Sequence, residues 1–244
     1  MNKLTANNIT VSYEGSNIIE DISIELNKGE IVCVLGVSGV GKTTLFNVIS
    51  GLLKPDNGKV ELDGNEITGK AGSVSYMLQK DLLLPYKTIL DNVSLPLVIR
   101  GEKKLKAREI TILYFDEFGL TGTEDKYPNQ LSGGMRQRAA LLRTYLFSDQ
   151  VALLDEPFSA LDSITKSNMH EWYLNVMDQI KLSTLLITHD INEAIILADR
   201  IYILSGKPGK IKEEILIKEK RPRSKDFSVS EKFMEYKKYI LSLL

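Results

Sequence analysis

The run Gly36-Val37-Ser38-Gly39-Val40-Gly41-Lys42-Thr43 holds the residue types a polyphosphate needs, at a spacing that gathers them. Glycines at 36, 39 and 41 let consecutive backbone N–H groups turn inward toward charged oxygens. Apolar residues 31–35 precede the loop, and a helical pattern through Leu45, Phe46 and Ile49 follows it and stops at Gly51. A helix opening at Lys42 adds free N–H groups and the positive end of its dipole. Lys42 then reaches the outer phosphates, and the Thr43 hydroxyl is placed to ligate Mg2+. Asp155 and Glu156 close the apolar run Val151-Ala152-Leu153-Leu154. An acid at the carboxyl end of a buried parallel strand sits where such sheets bind ligands. There Asp155 would hold Mg2+ through its water shell and Glu156 would polarise an attacking water. His189, one of two histidines, follows the apolar run 183–187 and reaches the same sheet edge. The other, His170, falls mid-helix and reads as structural.

The surrounding pattern shows which elements must position these groups. Residues 9–13 and 22–26 alternate apolar and polar, as antiparallel strands do, and a turn follows at Asn27-Lys28-Gly29. Tyr13 is there either a base-stacking aromatic or an ordinary strand tyrosine. Turn signals at Pro55-Asp56-Asn57-Gly58 and Asp63-Gly64 mark more β structure, and 73–78 reads as a second core strand ending on Gln79. From Asp81 the pattern turns helical. Thr88 opens a stretch through Ile89, Val93 and Leu97 that Pro96 must end or kink, and a second helix through Leu105, Ile112, Leu113 and Phe115 closes near Gly119. Leu131-Ser132-Gly133-Gly134 opens a helix reaching about Leu146. Ser132 and its two glycines present a hydroxyl, close backbone approach and a positive dipole end to an anion, or serve as an ordinary cap. A helix over 162–180 carries Met169, Trp172 and Val176 on one core-facing side. A hairpin-like pair, 201–204 and 211–217, leads to a basic stretch and a final helix. Ser228 and Glu231 have capping-box spacing, and Phe233, Tyr236, Ile240 and Leu244 share a face.

Composition narrows the classes. Of 244 residues, 43% are apolar and 26% charged, with a net charge of −1, which fits a soluble globular protein and argues against a general nucleic-acid binder. No apolar run is long enough to span a membrane, and the opening MNKLTANNIT lacks the apolar core of a secretory signal. The single cysteine, Cys33, excludes an internal disulfide or a cysteine-built zinc site and fits a reducing cytoplasm. It reads as a small buried hydrophobe.

With LSGGMRQR at 131–138, these motifs together resemble ATP-binding-cassette (ABC) proteins over nearly the whole chain and in the family's order. The resemblance implies ATP and Mg2+ as cofactors and gives each motif a role. Tyr13 is similar to the adenine-stacking aromatic. Gly36, Ser38, Gly39, Gly41, Lys42, Thr43 and Thr44 fall in or beside the Walker A loop. Gln79 resembles the Q-loop glutamine that senses metal and membrane partner. Ser132, Gly133 and Gly134 resemble the signature that meets the γ-phosphate held by an opposing copy. Asp155 and Glu156 resemble Walker B and the catalytic base, Ser159 to Asp162 the D-loop, and His189 the switch histidine. Two departures stand out: bulkier Thr144 and Tyr145 after the signature, and no proline in Ser148-Asp149-Gln150 before residue 151. Neither touches a catalytic position.

The expected fold is α/β. It has a P-loop NTPase (RecA-like) core with an N-terminal antiparallel β subdomain and an inserted α-helical subdomain. One domain spans 1–244. Residues 1–80 and 147–217 form its β-rich core, 81–146 the helical part with the signature, and 218–244 a basic tail and helix. By resemblance the chain pairs with a second copy, docks on separate permease subunits at the cytoplasmic face of the membrane, and works with an extracytoplasmic binding protein. Residues 79–97 and the C-terminal stretch resemble importers of nitrate, sulfonates, taurine or thiamine precursors. An exporter subunit, a non-transport ABC ATPase and an unrelated P-loop kinase are the alternatives. The apolar cluster Leu82 to Tyr86 is the expected docking surface for the permease, or else simply core.

Overall fold

Strand β3, Ile31–Leu35, is apolar at every position and buried on both sides, as expected for the centre of a parallel sheet. The computed structural model describes residues 2–148 and 150–244; Met1 and Asp149, quoted in the runs above, lie outside the described residues. β3 is flanked by β8, Ser183–Thr188, and β9, Arg200–Ser205, both parallel to it. β7, Val151–Asp155, lies beyond β8, and β6, Ser75–Met77, forms the edge. At the opposite edge β10, Lys210–Leu216, runs antiparallel to β9. The six strands take the order β10-β9-β3-β8-β7-β6. A second, antiparallel sheet comprises β1, Asn2–Tyr13; β2, Ser16–Asn27; β4, Asn57–Leu62; and β5, Asn65–Glu66, ordered β2-β1-β4-β5. Glu14 and Gly15 both have positive φ, the requirement of the two-residue turn that joins β1 to β2.

Alternation along β3 divides the core. Val32 and Val34 face the antiparallel sheet and α1, Lys42–Ile49, whose Leu45, Phe46 and Ile49 fill the space between. Cys33 and Leu35 face α7, Ile191–Leu197, and α8, Glu231–Leu243. Ala152, Leu154 and Leu186 form one cluster with α5, Gly133–Phe147, and α6, Ser163–Ile180. Phe115, Phe118 and Leu120 from the helical insertion complete that cluster, so insertion and sheet share a core.

Three expectations change in detail. The helix through Leu97 is two helices, α2, Ile89–Val93, and α3, Leu95–Ile99. Pro96 sits in the first turn of α3, where a missing N–H costs nothing. The next helix, α4, spans Lys104–Ile112 and ends earlier than the apolar pattern through Phe115. α8 is capped by Ser230, whose hydroxyl accepts from the Phe233 N–H at 3.2 Å, rather than by Ser228. Phe233 and Ile240 are buried as expected.

Candidate active site

Four neighbouring strands deliver the chemical groups to one sheet edge. In-register pairs Leu35 with Thr188, Asp155 with Ile187, and Met77 with Leu154 bring the carboxyl ends of β3, β8, β7 and β6 to one level. The loop 36–41 leaves β3, His189 follows β8, Asp155 and Glu156 end β7, and Gln79 lies two residues past β6. This is where ligands bind in parallel sheets.

The glycines of the loop act differently from one another. Gly39 and Gly41 have φ of 80° and 106°, open to glycine at no cost. Gly36 does not have positive φ; a Cβ there would collide with the Leu204 carbonyl, so its need is close approach rather than a turn. Gly41 caps α1 with no side-chain bond, leaving the first N–H groups facing the loop. Ser38 lies within the loop and Thr44 in the first turn of α1. Lys42 Nζ donates to the Gly36 carbonyl at 2.8 Å and the Val37 carbonyl at 3.0 Å. Burial lowers its ammonium pKa, opposed by Glu156 and Asp155.

Asp155 and Thr43 meet: the Thr43 hydroxyl donates to Asp155 Oδ2 at 3.2 Å. Tyr76 Oη donates to the same oxygen at 3.3 Å. Burial raises the Asp155 carboxyl pKa above its usual range. Burial, then the Asp155 charge, holds the Tyr76 phenol well above its usual value, so it is a donor. Burial thus disfavours the charged form of both Asp155 and Lys42, and a magnesium–triphosphate would bring the opposite charge to each. The donors are hard oxygens, and among the described residues no cluster of three or more histidine, cysteine or acidic groups forms a cage. That suits Mg2+, which takes few protein ligands alongside phosphate oxygens.

Glu156 is gripped on both oxygens. Gln79 Nε2 donates to Oε2 at 3.2 Å, and His189 Nδ1 lies 3.0 Å from Oε1. Its φ of 47° is a left-handed conformation that an ordinary residue holds only under constraint. The Ile187 carbonyl, accepting from the Glu156 N–H, and Ser159, donating to the Glu156 carbonyl, supply that constraint.

Other expected site residues stand apart. Ser132 caps α5, accepting from the Met135 N–H at 3.3 Å, and Asp162 caps α6, accepting from Ile164 and Thr165. Among the described residues, neither bonds to the phosphate loop. Gly133 and Gly134 face Leu161 and the Thr165–Met169 side of α6, so the signature start lies against the helix that Asp162 opens. Gln79 meets Glu156 and Ser159, not the Thr43–Asp155 pair. Tyr13 is 68% exposed beside the β1–β2 turn. Gln79, Gly133, Glu156, Leu161 and His189 share one cleft of about 860 Å³.

Sequence reasoning missed two supports of the site. Tyr76 is one; an aromatic three residues before Gln79 gave no sign of its hydroxyl partner. The other is an ion cluster around buried Glu193. Lys166 Nζ bonds Asp190 Oδ2 at 2.7 Å and Glu193 Oε2 at 3.1 Å, and His170 Nε2 lies 3.4 Å from the same Glu193 oxygen. Asp190 caps α7 directly after His189, and the His170 ring meets Phe158, two residues past Glu156, edge-on at 5.0 Å. Lys166→Ala should therefore lower stability by about 2 kcal/mol in urea unfolding, because Glu193 stays buried without its cation. An unchanged midpoint would show the cluster to be dispensable.

The ABC transporter family model matches residues 19–159. A formylaminopyrimidine import ATP-binding protein of Halalkalibacterium halodurans is 47% identical over 206 residues, covering 84% of this chain and 80% of that protein. A nitrate import ATP-binding protein of Synechocystis sp. is 36% identical, covering 98% and 92%. An aliphatic sulfonates import ATP-binding protein of Bacillus cereus is 40% identical, covering 92% and 87%. A solved dimeric ATP-binding cassette, in a post-hydrolysis state bound to ADP and Pi, superposes with a TM-score of 0.74 at 27% identity, covering 89% of this chain and all of that one. A phosphate loop at the end of a central parallel strand, an acidic pair one strand beyond its neighbour, and relatives matched over most of their length lead to one conclusion. The chain belongs to the ABC transporter family, as an ATP-binding subunit that hydrolyses ATP.

Proposed function

We propose that this subunit powers a bacterial importer of a small anion or organic solute such as nitrate, a sulfonate, taurine or a thiamine precursor. The relatives named for import of formylaminopyrimidine, nitrate and aliphatic sulfonates support that reading. The observation that carries the catalytic part is Glu156, fixed between Gln79 and His189 one residue from Asp155. In this reading Glu156 orients the attacking water, His189 steadies the phosphate and the water, and Lys42 with the loop amides neutralises the γ-phosphate. Thr43 and Asp155, together with Gln79, would hold Mg2+, which would supply charge neutralisation on the phosphates. Tyr13 offers an exposed ring to the base. Ser132, Gly133 and Gly134 serve the nucleotide of a second copy, so that two chains close on two ATPs, and Asp162 holds that joint through its cap. Residues 81–146 move as the helical unit against the core formed by 1–80 and 147–217.

Among the described residues no helix is long and apolar enough to cross a membrane. We place the subunit at the cytoplasmic face, bound to permease subunits that work with an extracytoplasmic binding protein. A groove of about 410 Å³, lined by Leu52, Leu82, Leu95, Pro96, Ile99 and Phe147, suits a short apolar helix of the permease. The expected cluster at 82–86 divides here. Leu83 is core, whereas Leu82 and Tyr86 are exposed. Buried Asn92 ties this loop down through the Leu84 N–H and the carbonyls of Leu84, Lys87 and Thr88, and Arg143 donates to the Asp81 and Leu82 carbonyls. Leu82 has φ of 46°, which aspartate tolerates. Leu82→Asp should therefore abolish transport and weaken membrane association at least about 10-fold. Urea stability should stay within about 0.5 kcal/mol of the parent. Retained transport would remove the groove from the proposal.

A further inference from the structure

Tyr76 joins two places that the proposed function treats separately. Its hydroxyl donates to Asp155 Oδ2 at 3.3 Å, the oxygen that also takes the Thr43 hydroxyl. Its ring meets Phe46 edge-on, centroids 5.9 Å apart, and Phe46 belongs to α1, the helix that carries Lys42 and Thr43. The same residue lines the groove beside Leu52, Leu82 and Ile99. Among the described residues, no other groove-lining side chain hydrogen-bonds Asp155. β6 supports this arrangement as an edge strand: it pairs with β7 alone, in a register that sets Tyr76 against Leu153, and Ser75 Oγ donates to the Val151 carbonyl at 2.9 Å.

We infer that Tyr76 is a positioning residue for Asp155, and that through it occupancy of the groove is linked to divalent-cation affinity. The inference rests on the reading of Asp155 as metal-holding and of the groove as the docking site. A tyrosine side chain turns about two bonds, so a neighbour that pushes its ring moves its hydroxyl as well. Donors to a metal-holding carboxylate fix which lone pairs face the metal or its water shell, and loss of such supporting partners costs roughly 10- to 100-fold in metal affinity. Linkage is reciprocal: whatever the occupant does to metal affinity, the metal does to the occupant's affinity.

The test uses the full chain and equilibrium binding of N-methylanthraniloyl-ATP titrated with Mg2+. Tyr76→Phe keeps the ring in the groove and against Phe46 and deletes only the O–H. It should raise the half-saturating Mg2+ concentration about tenfold and leave nucleotide affinity without Mg2+ unchanged. For the linkage, Ile99→Cys places a thiol in the groove while fully buried Cys33 stays unreactive. Labelling with N-phenylmaleimide should shift the Mg2+ midpoint about fivefold, and the shift should vanish when Tyr76→Phe is added. An equal shift in both backgrounds, or none in either, overturns the linkage. If Asp155→Asn weakens Mg2+ and Tyr76→Phe does not, the positioning role is wrong and the metal site stands. If Asp155→Asn has no effect either, the metal reading fails and takes the inference with it.

Discussion

Glu156→Gln should slow ATP hydrolysis about 10³-fold, the range over which a positioned base acts. The substitution is nearly isosteric, so the backbone constraint at φ 47° keeps its shape. The new amide accepts on its oxygen only, so either the Gln79 amide or the His189 ring must turn to present an acceptor to its nitrogen. In the proposed mechanism, what disappears is the negative charge that orients and deprotonates water, while nucleotide binding rests on the loop amides and Lys42 and should hold. With hydrolysis as the step that reopens the proposed closed pair, the variant should run as a lasting dimer in gel filtration with ATP. The parent without nucleotide should run mainly as a monomer. A variant with normal turnover would place the base elsewhere.

Lys42→Ala should also abolish hydrolysis and weaken ATP binding about 10- to 100-fold, because the γ-phosphate loses its charge-assisted partner. Combined with Ser132→Arg it decides whether each site is built from two chains. Homodimers of either variant carry two damaged sites. Mixing them gives heterodimers in which one site holds both lesions and the other holds neither, provided that Ser132 serves the opposing copy. With Glu156→Gln added to both chains, occluded nucleotide should reappear only on mixing. No recovery, despite heterodimers demonstrated by cross-linking, would leave Ser132 as the cap of α5 and nothing more.

What was legible in the sequence was local. The loop at 36–43, the apolar strands and the acids or histidine at their ends are each written in consecutive residues, so α/β architecture and the sheet-edge site followed from them. Pairings across the chain were not legible. Tyr76 and Asp155 are 79 residues apart, Lys166 and Asp190 are 24, and their meeting depends on strand order rather than on any motif. Capping-box spacing points to Ser228, two residues before the actual cap of α8, because Ser228 and Ser230 both precede the apolar face. Pro96 does end the first helix, and the chain restarts at once because proline suits a first turn. Gly36 looks like a turn glycine in the sequence, yet its constraint comes from Leu204, 168 residues away.

The position of β3 has a consequence for the nascent chain. Its five apolar residues emerge early, but both strands that flank it, β8 and β9, begin only at Ser183 and Arg200. At roughly 5–20 residues per second of synthesis, the most apolar strand waits on the order of 10–30 s without either neighbour. Meanwhile the antiparallel sheet of β1, β2, β4 and β5 is complete by Glu66 and offers α1 and one side of β3 an early surface. The phosphate loop is therefore made long before the two strands that hold β3 in place, and until β8 and β9 emerge the apolar side of β3 carrying Cys33 and Leu35 stays uncovered.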